Sequence, residues 1–349
     1  MTRREGIRLM AAAAALGPLP ACVTGSAPPA PEDGSGFTIP GAAVDHLRAH
    51  ARSGFGCWQG RDTIAAVGLR RDFSVLSITK PVAALAAVRA ISEGWLAADE
   101  AVVFREWGAG RGAAFPTVRQ LVDSTAGIKV GVKELYSRRP FDKGAAALAL
   151  PPEFPPGRVF RYGPAPWEIL AELLRRRLAD RGSNLNRWFR RHLAAIGVRP
   201  RDWRRDGSGV PYFSTGMECG LDDLGRLGGC LCHLLRGESH AGLDGAVLLD
   251  LGAAHAANPM FAAGIWWNRA AGWRGAQVIA PEPALKHDRA PGFWRGGCLQ
   301  PSAHPGWIAL VGSGGSRVYV LARPAVVVAV ARAGERWSDA AMLHALTSR

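Results

Sequence analysis

Apolar and polar positions divide the chain into three textures. Residues 82–95 are almost unbroken Ala, Val, Leu and Ile, with polar breaks only near helical spacing, which predicts a buried helix. Residues 167–178, 186–195 and 220–235 alternate apolar and polar positions at helical spacing and predict three further helices. Asp222 and Asp223 would sit near the positive dipole end of the last. Residues 41–52 and 337–346 predict helices near the two ends. Strand-like runs occur at 55–58 and 63–67, with Gln59-Gly60-Arg61-Asp62 as their turn, and again at 307–311, 317–322 and 325–331. The last is nearly continuous valine and alanine, which suits a strand buried on both faces. Strands therefore lie towards both ends of the chain and helices between them. This order predicts one sheet assembled from both ends, with a helical insertion over it.

The first 40 residues stand outside that pattern. Arg3, Arg4 and Arg8 precede a short apolar stretch at 9–16, too short for a permanent membrane span. Leu19-Pro20-Ala21-Cys22 then resembles a lipoprotein signal box. The expectation is a signal peptide over 1–22, lipidation of Cys22, and a Pro/Ser/Gly/Ala-rich tether over 23–40. This implies an exported, periplasmic protein anchored to the envelope membrane through Cys22; the alternative is a plain secretory peptide with a chance cysteine.

Charge changes the picture little. The chain has 349 residues, 48% of them apolar, and a net charge of +14. The densest basic stretch begins at Arg175-Arg176-Arg177 and continues to Arg205, with Trp188 and Trp203 inside it. It carries no nucleic-acid motif. Leu173, Leu174 and Leu178 make its first part an amphipathic helix with a solvated face, so nucleic acid is not an expected partner.

Candidate chemistry begins at Ser77-Ile78-Thr79-Lys80-Pro81. This is the only Ser-x-x-Lys in the chain, and lysine is scarce: Lys80, Lys129, Lys133, Lys143 and Lys286 are all of them. At the start of a helix, Ser77 and Lys80 fall one turn apart on one face. A serine hydroxyl is a poor nucleophile until a base takes its proton, and a lysine is such a base once burial and the helix dipole disfavour its cation. A cap serine beside a surface lysine has the same spacing. Cys230, Cys232 and His233 form C-x-C-H without a second half-site, so no metal is expected. If Cys22 is lipidated, five cysteines remain and at least one lacks an intramolecular partner. His287 with Asp288, and His304, read as loop residues. Gly108-Ala109-Gly110-Arg111-Gly112 lacks the strand and helix context of a phosphate loop, and no G-x-S-x-G elbow is present.

With these segments in hand, the chain from about residue 41 onwards resembles the serine β-lactamase and penicillin-binding-protein superfamily. The likeness is closer to its class C-like branch of esterases, amidases and 6-aminohexanoate-dimer hydrolases. Ser77 to Pro81 matches the first motif, including the proline. Asp123-Ser124-Thr125-Ala126-Gly127-Ile128 is similar to the "HTSGL" segment. Pro156-Gly157 to Tyr162 is similar to the second motif, Gly220 to Gly228 to the "DLARFG" helix, and Leu310-Val311-Gly312-Ser313-Gly314-Gly315-Ser316 to the third motif. The resemblance implies an α+β, β-lactamase-like fold. Its antiparallel sheet is built from both ends of the chain (about 41–115 and 275–349) and flanked by helices, with a mostly helical part over about 116–274. It implies Ser77 as acylated nucleophile. Lys80 would be its base, or the cation that keeps Tyr162 phenolate-like, and Tyr162 would relay the proton. The backbone amides of Ser77 and Ser313, beside Gly312, would form the oxyanion hole. Two positions depart from the pattern. Pro164 stands where an asparagine usually holds a substrate amide, and Leu310 where a cation usually holds a β-lactam carboxylate; Arg317 is the candidate replacement for that charge. The expected activity is therefore hydrolysis of a small-molecule ester or small amide through an acyl-enzyme, with no metal or organic cofactor. A β-lactamase or D-Ala-directed peptidase is the enzymatic alternative. A catalytically weak binder of cell-wall peptides or β-lactam-like ligands is the other.

Overall fold

The computed structural model describes residues 37–51, 53–107, 115–287, 289–290, 292–334 and 336–348. The expected signal peptide, Cys22, most of the tether, Asp288 and the glycine-rich run at 108–112 lie outside the described residues.

Seven antiparallel strands form the main sheet: β1 (Phe55–Gln59), β2 (Asp62–Val67), β3 (Phe261–Ala262), β4 (Ile265–Trp267), β5 (Trp307–Gly312), β6 (Ser316–Leu321) and β7 (Val326–Val330). Their order is β2-β1-β7-β6-β5-β4-β3, so the N-terminal hairpin pairs directly with the last strand, with Phe55 opposite Val330. The strands of β5, β6 and β7 are buried along their whole length, as their valine-rich composition requires. The stretch 116–274, expected to be mostly helical, also supplies β3 and β4. These join at Ala263 and Gly264, both at positive φ (52° and 74°), in the mirror-image turn that matches strand twist. Strands of two and three residues carry no readable alternation, which is why their membership of the sheet does not show in the sequence.

Alternation assigns the helices to the two faces. Arg317 and Tyr319 of β6 lie opposite Val330 and Val328, so these four share one face, and Val320 and Val327 share the other. Helix α5 (Leu221–Leu235) covers the Val327 face. It approaches so closely at Gly228 that a Cβ there would lie 2.3 Å from Val327 Cγ1. Helix α6 (Asp339–Thr347) covers the Arg317 face and packs with α1 (Gly41–His50). Asp339 fixes it. Its carboxylate takes Arg317 Nε at 2.7 Å and the Tyr319 hydroxyl at 2.5 Å, and Trp337 Nε1 donates to that hydroxyl at 2.7 Å. Helix α2 (Thr79–Ser92) is buried on all sides, which an apolar, Ala-rich sequence permits. Gly94, at φ 76°, ends it, with Trp95 N–H closing back on the Ala90 carbonyl at 3.1 Å. Helices α3 (Ala165–Asp180) and α4 (Leu185–Ala195) belong to the helical part, which also holds short helices at Val118–Val122, Lys143–Leu148 and Gly245–Leu251.

A second, three-stranded sheet pairs Phe73–Ser74 with Met217–Cys219 and the latter with Asp202–Trp203. It ties the segment before Ser77 to a segment some 140 residues away. Cys57, Cys219, Cys230, Cys232 and Cys298 are all buried free thiols. Burial pushes Cys57, Cys230 and Cys232 up to about 12.

Replacing Asp339 by Ala leaves Arg317, 1% exposed, with half of its counter-charge gone. The expected loss is about 3–5 kcal/mol of unfolding free energy, the usual effect of breaking a buried pair from one side. Chemical denaturation checks it, and a loss below about 1 kcal/mol would contradict the anchoring role given to this carboxylate.

Candidate active site

Ser77 lies in a short 3₁₀ turn, Leu76–Ile78, immediately before α2, rather than at the first residue of the helix itself. Leu76 has φ 50°, a left-handed conformation that costs a non-glycine residue about 1 kcal/mol or more. The turn is held from both sides. Val75 N–H donates to the Met217 carbonyl at 3.1 Å, and Met217 N–H donates to Thr79 Oγ1 at 3.1 Å. The small second sheet therefore carries residues 214 and 215 to the Ser77 turn.

Lys80 follows one turn on and is 2% exposed. Its Nζ lies 2.9 Å from Ser77 Oγ, and it donates to the Ser214 carbonyl at 2.9 Å. Burial lowers it from an ordinary 10.5 to about 7, against the opposing pull of the nearby Glu168 carboxylate. That carboxylate is itself buried. It accepts from the Ser214 hydroxyl and from the Ser214 and Phe213 amides at 3.2 and 3.4 Å. Burial raises its own pKa.

Tyr162 stands beside the same serine: the Ser77 side chain acts on its phenol, pulling its pKa down, and Lys80 Nζ lies 4.8 Å from its ring centroid. The ring is walled by Phe261 at 5.7 Å and Trp266 at 6.5 Å, two of the three aromatic residues of the β3–β4 hairpin. Burial pushes the phenol up to about 12, with the Ser77 side chain and the Arg317 charge pulling the other way. Two motifs brace its backbone. Gly157 N–H donates to the Thr125 carbonyl at 2.7 Å and Arg161 N–H to the Ser124 carbonyl at 2.9 Å. Gly163 has no alternative side chain: a Cβ there would lie 2.5 Å from Val130 Cβ. Pro164 occupies the N-cap position of α3.

The third motif arrives at the end of β5. A Cβ on Gly312 would lie 2.4 Å from the Val75 carbonyl oxygen, so only glycine lets this strand touch the Ser77 turn. Ser313, one residue on, lines the same cleft as Ser77, Lys80 and Tyr162, an open space of about 650 Å³.

Two expectations change. Arg317 does not face substrate. Its side chain is 1% exposed on the other side of the third motif, and its donors go to Asp339, Glu282 and the Gly312 and Ser316 carbonyls at 2.7–3.4 Å. It braces the Gly312 turn from beneath. Leu310 is fully buried in the sheet opposite Val318, so no side chain at that position projects into the cleft. His287 and His304 do not line the cleft. Among the described residues no group of three or more His, Cys, Asp or Glu is placed to hold a metal ion.

Glu168, Ser214, Tyr136 and Lys143 escaped the sequence reading. A signal for two of them existed in residue scarcity. Three of the chain's four tyrosines (Tyr136, Tyr162 and Tyr212) and three of its five lysines (Lys80, Lys143 and Lys286) line this one cleft.

This constellation of a serine, a depressed lysine, a tyrosine and a glycine-spaced strand end on an antiparallel sheet defines a serine-hydrolase site. The "Beta-lactamase" family model matches residues 39–346, and the chain belongs to that family. Among solved structures it is similar to EstCE1, a hydrolase with promiscuous acyltransferase activity (17% identity, 88% of this chain and 97% of that one, TM-score 0.62). It is also similar to a penicillin-binding-protein homologue from Caulobacter crescentus (17%, 89% and 97%, 0.59) and a D-stereospecific amidohydrolase from Streptomyces sp. (17%, 83% and 93%, 0.53). No curated protein matches it at the sequence level. The α+β, β-lactamase-like fold expected above is the fold observed.

The depressed amine has a thermodynamic consequence. Between pH about 7 and 10.5 the unfolded chain holds a proton on Lys80 that the folded chain lacks. Stability therefore rises with pH across that window, by up to ~1.4 kcal/mol per pH unit. The Lys80→Met variant should lose this slope, and thermal denaturation of both proteins from pH 7 to 10 checks it; parallel curves would contradict the depressed amine.

Proposed function

We propose that the chain is a serine hydrolase that cleaves an ester or small linear amide through an acyl-enzyme on Ser77. The observation that carries this reading is that Lys80 Nζ lies 2.9 Å from Ser77 Oγ, with the Tyr162 phenol beside the same pair. Near neutrality Lys80 is in large part a free amine, while Tyr162 keeps its proton. This favours Lys80 as the base and Tyr162 as the relay, over a phenolate at Tyr162. Ser77 Oγ attacks the substrate carbonyl as its proton passes to the Lys80 lone pair. The oxygen that becomes negative is received by the Ser77 and Ser313 backbone amides. Collapse of the tetrahedral species expels the leaving group, which takes a proton from the Tyr162 hydroxyl, and Lys80 returns one to Tyr162. Water then attacks the acyl carbonyl by the same route and releases the acid.

Pro164 and the buried Leu310 remove the two groups that the superfamily uses on β-lactam amides and carboxylates, which supports esters and linear amides over β-lactams. For the N-terminus, the Leu19-Pro20-Ala21-Cys22 box supports export and a lipid anchor on Cys22. Metabolic incorporation of an alkyne fatty acid into wild type but not Cys22→Ser checks this, and equal labelling would overturn it.

A fluorophosphonate probe should label wild type and not Ser77→Ala. Nitrophenyl ester turnover should fall by about 10⁴-fold or more in Ser77→Ala and by about 10²–10³-fold in Tyr162→Phe. In wild type, kcat/KM should rise as pH increases through about 7, as the amine loses its proton, and then level off. Ester turnover that survives in Ser77→Ala, or a rate that falls through pH 7, would overturn the assignment.

A further inference from the structure

The cleft extends beyond the serine along a line of contacts in the helical part. Lys80 donates to the Ser214 carbonyl, and the Ser214 and Thr215 side chains act on the Tyr136 phenol, pulling its pKa down against burial. Lys143 Nζ lies 5.2 Å from the Tyr136 ring centroid and 3.5 Å from that of Tyr212. The far side of the Tyr212 ring region is shared with Arg204, at 5.7 Å. Tyr136, Lys143, Arg204, Tyr212 and the neighbouring Arg139 all line the same cleft as Ser77.

The charges on this wall are unusual. Lys143 is 3% exposed, yet among the described residues its ammonium is in no ion pair; it lies against two tyrosine rings, with the Glu168 and Asp206 carboxylates acting on it from farther off. Arg139 and Arg204 are likewise in no ion pair among the described residues. The nearby carboxylates are used elsewhere. Asp206 accepts from the Lys143 and Val210 amides at 2.9 and 3.0 Å, Glu168 is held by Ser214 and Phe213, and Glu282 pairs with Arg317 at 3.0 Å. A desolvated ammonium between aromatic faces, facing an open cleft, is a recognition group for an anion: the cation–π contacts orient it, and the nearby Glu168 and Asp206 carboxylates act on it without pairing with it.

We propose that Lys143, assisted by Arg204 and Arg139, holds a carboxylate at the far end of the substrate, so that the preferred substrates are half-esters or half-amides carrying a free carboxylate. This specificity rests on the hydrolase reading above, but the anion site is testable apart from it. The family's usual carboxylate-holding position is the buried Leu310 here, so the charge has moved from the sheet edge to the helical part.

Two measurements on the full chain test it. The first compares kcat/KM for nitrophenyl butyrate with that for the mono-nitrophenyl esters of succinic, glutaric and adipic acids. The best anionic ester should exceed the neutral one by about tenfold or more, the scale of one charge-assisted contact. Lys143→Met should erase this preference while leaving the neutral ester within about twofold, and Lys143→Arg should keep most of it. The second is calorimetric binding of glutarate, expected for wild type and Ser77→Ala and lost in Lys143→Met. Equal loss on both ester types in Lys143→Met, or glutarate binding unchanged by it, overturns the anion site. Glutarate binding that depends on Lys143 in a protein without ester turnover upholds the anion site and overturns only the hydrolase reading.

Discussion

The structure turns on the removal of one lysine amine from water. Lys80 sits on a helix with no solvated face, and its Nζ is bonded to one hydroxyl and one carbonyl rather than to a carboxylate. Glu168 is close enough to restore the charge and partly does so. Its oxygens, however, are taken by the Ser214 hydroxyl and two amides, so it orients the carbonyl that receives Lys80 instead of pairing with the amine. The balance between desolvation and this neighbouring charge leaves the amine near neutrality, where proton transfer in both directions costs least.

Everything else serves to bring groups to that amine without bringing water. Three separate backbone contacts do this. The second sheet docks residues 214 and 215, the Gly312 strand end rests against the Val75 carbonyl, and the segments around Ser124 and Arg161 hold each other beside Tyr162. Arg317, buried beneath the Gly312 turn and neutralised by Asp339 and Glu282, supports the strand end from the opposite side. The cleft therefore has a rigid wall made by α2 and the sheet, and a second wall made by loops and short helices between residues 132 and 215. Ser77, Lys80 and the Gly312–Ser313 turn belong to the first wall, and Tyr162 with Lys143, Arg139 and Arg204 to the second.

How much of this was legible from residues alone follows the length of each signal. The long apolar helix, the valine-rich strands and the amphipathic helices showed in periodicity because burial repeats along them. Ser77, Lys80, Tyr162 and the Gly312–Ser313 turn were legible as ordered motifs. The short strands Phe73–Ser74, Met217–Cys219 and Phe261–Ala262 were not, because two or three residues contain no period, and they are the elements that close the site. Arg317 was misplaced for a related reason. In a β-strand a one-residue step exchanges faces, and its sequence neighbours, all apolar or small, leave the facing side unstated. Glu168 looked like an ordinary polar residue of the 167–178 helix, and Lys143 fell in a stretch assigned to no element; only their neighbours in space show that both are buried.

The buried thiols carry a practical corollary. With pKa values raised to about 11–12 for Cys57, Cys230, Cys232 and Cys298, and Cys219 raised by burial as well, almost none of the reactive thiolate exists at neutral pH. Maleimides and similar alkylating reagents will pass these sites by. A cysteine introduced on the loop wall of the cleft would accept a fluorophore in preference to all five, giving a spectroscopic view of that wall without rebuilding the core.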